Sequence, residues 1–141
     1  MRVMVIVKCS EEYEAGQMPG RELLARMGAF NEELVKAGVM LAGEGLERSA
    51  KGKRIRFDGK KRTVLDGPFT ETKELVGGFW LWQVRSMDEA VEWLKRAPFE
   101  GGEVVEIRRV NEAEDFGEEF TPEMRAREDR HREESARNAK K

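Results

Sequence analysis

At 141 residues the chain suits a single core, because domains of roughly 100–150 residues are the commonest size. Its 39% apolar residues are enough for a modest interior, and its 38% charged residues, well above the roughly 25% of an average soluble protein, mean that part of it is almost wholly solvated. A formal net charge of -2 excludes a global field for nucleic acid or anionic lipid, the lone Cys9 excludes an internal disulfide, and no apolar run approaches the roughly 18–20 residues of a membrane span. The first residues lack the basic, apolar, small-residue order of a signal peptide, so a soluble protein of the reducing cytoplasm is expected.

In chain order, Val3 to Val7 form a mostly β-branched run closed by Lys8, the size of a buried strand. From Arg21 to Ala37, Leu23, Met27, Phe30 and Leu34 recur at three- and four-residue steps, which predicts a helix with one apolar stripe, ended by Gly38. Val39 to Ala42 is a second short strand, and Gly43-Glu44-Gly45 predicts a sharp turn at its end. Arg54 to Phe57 alternates, Asp58-Gly59 is a hairpin signal and Thr63 to Leu65 returns, giving a surface β-ribbon. Gly78 to Val84 is a central strand, with Phe79, Leu81 and Gln83 on one face and Trp80, Trp82 and Val84 on the other. Ser86-Met87-Asp88-Glu89 reads as a capping box opening a helix to Ala97, stopped by Pro98, and Val104 to Val110 is the last strand.

The order β-α-β, hairpin, β-α-β predicts an α+β, ferredoxin-like split βαβ fold with an antiparallel sheet. Two helices cover only one face of such a sheet. The other face would expose apolar side chains, and a homodimer through the sheet face is the simplest closure. After Asn111 the character changes. Thr121 and Pro122 predict a helix start, and Glu123/Arg127, Glu128/Arg132 and Glu133/Arg137 are spaced as ion pairs along a solvated helix whose base Phe116, Phe120 and Met124 would pin. The expected organisation is a domain over residues 1–111 and a charged helical extension over 112–141.

The densest segment is "LDGPFTETKELVGGFW", Leu65 to Trp80. It reads as a turn that brings polar groups to the mouth of a pocket, then a strand of aromatics. The plainer reading is that Asp66 caps a loop, that Glu71, Lys73 and Glu74 are solvated, and that Gly77-Gly78 merely opens the strand.

Together with "AGVMLAGEGL" before it and "SMDEAVEWLKRAP" after it, "DGPFTETKELVGGFWLWQV" resembles the DGPF-motif branch of the YCII-related proteins, whose signature reads close to DGPFAETKE. The resemblance spans about Met1 to Val110, and the tail "EAEDFGEEFTPEM" is similar to extensions of some members. Thr70 in place of alanine is the one departure inside the signature. The resemblance implies the dimeric α/β-barrel form of the ferredoxin-like fold, with a small-molecule cleft between sheet and loops near the subunit contact. It supplies no established reaction. A His/Asp pair proposed for the YCII-like branch has no counterpart, because the one histidine, His131, lies in the charged tail.

Acid/base chemistry here must therefore come from carboxylates, with Asp66 the first candidate and Glu44 the second. Lys73, Thr70 and Thr72 would bind substrate. Trp80 and Trp82 would form a stacking wall, although such a pair is more often core or dimer interface. Cys9 reads as an inert thiol, and the ribbon's Lys51, Lys53, Arg54, Arg56, Lys60, Lys61 and Arg62 as a protective sheet edge. Neither a phosphate loop nor metal-ligand spacing occurs, so no cofactor, metal, nucleic acid or membrane is expected. The leading expectation is a small-molecule-binding homodimer with carboxylate-based chemistry of unknown type. A non-catalytic regulatory module associated with transcription control, and a structural interaction domain without a pocket, are the alternatives.

Overall fold

The structure, a computed structural model, describes residues 1–139. Its first compact unit runs from Met1 to Arg109, and a second begins at Val110. The first unit contains strands β1 (Arg2–Lys8), β2 (Met40–Gly45), β3 (Lys53–Asp58), β4 (Lys61–Asp66), β5 (Val76–Gln83) and β6 (Val105–Arg109). Its helices are α1 (Glu11–Glu14), α2 (Arg21–Lys36) and α3 (Met87–Leu94). Four strands make one antiparallel sheet in the order β2-β5-β1-β6, while β3 and β4 pair only with each other. This is the ferredoxin-like α+β arrangement, with the ribbon inserted between its second and third main strands.

The core follows from alternation along the two central strands. Val3 lies opposite Trp82 and Val5 opposite Trp80, so all four side chains share one sheet face. Phe30 and Leu34 from α2 and Ala90 from α3 close over that face. The Phe30 ring meets Trp80 edge-on at 5.9 Å and 83°. Trp80 Nε1 donates to Asn31 Oδ1 at 2.8 Å, which satisfies a half-shielded donor; the buried Trp82 indole N–H has no partner among the described residues. The opposite face carries Met4, Ile6, Ala42, Phe79 and Leu81 at its centre, all half-buried and none belonging to the core. Glu44 and Glu106 are exposed on this open face.

Three local expectations change. Gly43-Glu44-Gly45 does not turn away from the sheet: β2 continues through all three, pairing Gly43 with Trp80, Glu44 with Phe79 and Gly45 with Gly78. The absence of a side chain at Gly43 is what admits the Trp80 indole, whose Cδ1 would lie 2.7 Å from a Cβ there. Helix α3 stops at Leu94, and tighter turns, with the Arg96 N–H donating to the Trp93 carbonyl and the Ala97 N–H to the Leu94 carbonyl at 3.0 Å each, carry the chain to Pro98, which has no N–H to extend the ladder. In its cap the Ser86 hydroxyl accepts from the Glu89 N–H as expected, but Glu89 Oε2 accepts from the backbone N–H of Arg85 instead of that of Ser86. Gly38, by contrast, ends α2 in the left-handed conformation, at φ 72°.

In the second unit, 3-10 turns over Ala113–Glu119 lead into α4 (Pro122–Asn138), which Thr121 caps by accepting from the Met124 N–H. The Phe116 and Phe120 rings meet at a tilt of 53° with centroids 5.6 Å apart. Of the spaced pairs along α4, Glu128 and Arg132 close to 2.6 Å. Among the described residues no helix is long and apolar enough to cross a membrane.

Candidate functional site

The segment from Asp66 to Gly78 is held from both ends. Asp66 terminates β4 directly opposite Lys53, and their side chains form an ion pair at 2.5 Å. The carboxylate remains 73% exposed. Gly67 follows, joined to Pro68 by a cis peptide, and its N–H donates to the Gly52 carbonyl at 3.0 Å. A Cβ on Gly67 would come 1.7 Å from the Ser49 carbonyl oxygen, so glycine is required by close backbone approach. Phe69 then donates its N–H to Ser49 Oγ at 2.9 Å while the Arg54 guanidinium lies 3.8 Å over its ring. Thr70 and Lys73 are exposed, Thr72 is half-buried, and a 3-10 turn over Thr72–Glu74 delivers the buried Leu75 to the start of β5. The double glycine that follows lets β5 run close to both neighbours: a Cβ on Gly77 would meet Cys9, and one on Gly78 the Glu44 carbonyl.

Ser49 is itself fixed from below. Glu14, on α1, accepts from the Ser49 N–H at 2.7 Å and from its hydroxyl at 2.5 Å. These two bonds hold the Glu14 carboxyl below its ordinary range, with the Arg48 charge and the Cys9 thiol acting in the same direction. Cys9 moves the other way. Burial pushes its thiol up, and the neighbouring Glu14 charge adds to that. A chain of polar contacts thus runs from Cys9 through Glu14 and Ser49 to the backbone of the DGPF turn. Its chemistry is that of a clamp: an ionised carboxylate saturated with donors is a poor base, and a thiol kept protonated is a poor nucleophile.

Asp66 ends β4, Thr70, Thr72 and Lys73 follow it in the connection to β5, and Glu44 is on β2. Trp80 and Trp82, 5% and 0% exposed, lie on the helix side of β5, whereas Glu44 sits opposite Phe79 on the open side. The tryptophans and Glu44 therefore do not line a common space within one chain. A shallow cavity of about 480 Å³ lies at the far end of β5, lined by Val39, Val84, Glu89 and Trp93 among others, and includes none of these candidates. Glu14 and Ser49 were not singled out from the sequence. Ser10, three residues before Tyr13 and followed by acids, is a helix-start signal that marks α1, and its hydroxyl does accept from the Tyr13 N–H. Nothing local announces that Ser49 reaches Phe69, twenty positions on.

A profile of the YCII-related domain matches residues 1–114. An uncharacterized protein of Rhizobium meliloti (strain 1021) is 32% identical over 69 residues, which cover 49% of this chain and 56% of the relative. The chain thus spans little more than half the length of the curated relative it matches.

Proposed function

We propose that this chain, which belongs to the YCII-related domain family, works as a homodimer joined through the open face of its four-stranded sheet and binds a small molecule where that contact meets the DGPF turn. The observation that carries this reading is the apolar centre of the open face, Met4, Ile6, Ala42, Phe79 and Leu81, which the helices leave uncovered. Asp66, Lys73, Thr70 and Thr72 supply polar groups from the turn, and Glu44 supplies a carboxylate from the rim of the sheet. Trp80 and Trp82 stiffen the strand from behind and stay out of the ligand's reach.

Carboxylate catalysis is the stronger form of the proposal. It requires that a second copy enclose Glu44 or Asp66, because in the single chain both carboxylates are exposed to solvent. The exposure of Asp66 and its pairing with Lys53 favour ligand binding as the activity of the isolated chain, which also suits a regulatory module. Sedimentation equilibrium on the full chain and on Leu81→Glu tests the assembly. The expected result is a dimer for the native protein and a folded monomer for the variant; a native monomer at tens of micromolar sinks the reading. Thermal shift against a metabolite set then tests the site, since a ligand at 100 times its Kd stabilises by about 2.7 kcal/mol. A stabilisation lost in both Lys73→Ala and Glu44→Gln locates the ligand at the loop and rim.

A further inference from the structure

The ribbon of β3 and β4 presents a second unpartnered surface. Its register sets Ile55 opposite Val64 and places Phe57 on the same face beside Arg62. The three apolar side chains are 53%, 59% and 68% exposed in the order Ile55, Val64, Phe57, although a lone two-stranded ribbon is marginal in water. The ribbon is also strongly basic: residues 51–66 hold seven Lys/Arg and two Asp. Four of those cations are engaged, Lys51 with Glu47, Lys53 with Asp66, Arg54 with the Phe69 ring and Arg62 with the Phe57 ring. Arg56, Lys60 and Lys61 have no partner among the described residues.

The surface therefore calls for an occupant that is both acidic and aromatic. A phosphate backbone would answer the cations and leave Ile55, Phe57 and Val64 in water. The stretch "EAEDFGEEF", residues 112–120, has both properties, with five acids, no base and two phenylalanines. Its Phe116 is 55% exposed, and Glu118 and Glu119 are exposed without a partner among the described residues. We infer that the ribbon of one copy docks residues 112–120 of a second copy, phenylalanine against the Ile55–Phe57–Val64 face and acids against the cations at the ribbon tip. The inference rests on the homodimer reading and adds to it a contact that two-fold symmetry repeats twice.

Charge reversal in the full chain tests it. Lys60→Glu/Lys61→Glu and Glu118→Lys/Glu119→Lys each put like charges in contact, so each variant alone should self-associate at least tenfold more weakly than the native chain by sedimentation velocity. An equimolar mixture of the two should recover native affinity, because both contacts of the mixed dimer again join opposite charges. Phe57→Ser, which alters no charge, should also weaken association, with little dependence on salt. If the mixture is no tighter than its components, docking between copies is overturned. If the native chain is a dimer that Leu81→Glu dissociates but neither charge reversal affects, the ribbon inference falls and the sheet contact stands; a native monomer overturns both. Binding of duplex DNA by the native chain, lost in Lys60→Glu/Lys61→Glu while self-association is unchanged, would assign the ribbon to nucleic acid and overturn the inference.

Discussion

Along β5, neighbouring side chains meet opposite surroundings. Trp80 and Trp82 are enclosed by Phe30, Leu34 and Ala90, whereas Phe79 and Leu81, each one residue away, lie beside Ile6, Met4 and Ala42 on a face no core residue shares. Both faces are apolar at their centre, so composition does not separate them. What separates them is supply: this unit has two helices long enough to cover a sheet face, and α2 and α3 both pack on the tryptophan side. One face is finished by the chain's own folding. The other keeps apolar surface whose burial, at about 25 cal/mol per Å², is available to an association.

Truncating each face in turn gives the largest contrast. Trp82→Ala removes a fully buried ring that packs 5.7 Å from Trp80 and 6.3 Å from Phe30, and should cost about 3–5 kcal/mol in denaturant unfolding at every protein concentration. Leu81→Ala, at a half-buried position outside the core, should cost about 1 kcal/mol in dilute solution, and more as concentration rises. Equal, concentration-independent losses at the two positions would erase the distinction between the faces.

The next effect separates the core from the clamped turn. Gly67→Ala drives a methyl group into the Ser49 carbonyl, and overpacking of that kind costs about 1–3 kcal/mol. Because the strain falls on the turn, amide exchange should accelerate at Gly67 and Phe69 while the β1 and β5 amides between Val3 and Trp82 keep their protection. Faster exchange through the whole sheet would mean that the turn is part of the core's cooperative unit.

The elements that repeat a period were legible in the sequence. The α2 stripe of Met27, Phe30 and Leu34, the alternation of β5 and the Ser86 cap each depend on residues within a few positions of one another. The turn at Gly43-Glu44-Gly45 was misread because glycine signals either a bend or a close approach, and the Trp80 indole that makes it the latter lies far along the chain. The candidate site was legible only as a list of polar residues. That Asp66 would be paired with Lys53, that Glu44 and the tryptophans would fall on opposite sheet faces, and that Glu14 and Ser49 would hold the turn are all consequences of register and tertiary contact. No local pattern encodes those.

The smallest predicted effect lies in the clamp itself and is read through pH. Glu14 has its carboxyl lowered in the fold, first by the Ser49 hydroxyl and then by the Ser49 N–H. A carboxylate lowered on folding adds stability that is complete above its unfolded range and is lost as pH falls through the folded value. Glu14→Gln should therefore melt below the native protein at neutral pH, with the gap narrowing as the solution is acidified; a constant gap would mean that the residue acts only through packing. The same variant reports on Cys9. Its thiol is raised first by burial and second by the Glu14 charge, so removing that charge should move the pH profile of thiol alkylation downward by only part of the shift. Full return to an ordinary thiol would make Glu14, and not burial, the reason that Cys9 stays protonated.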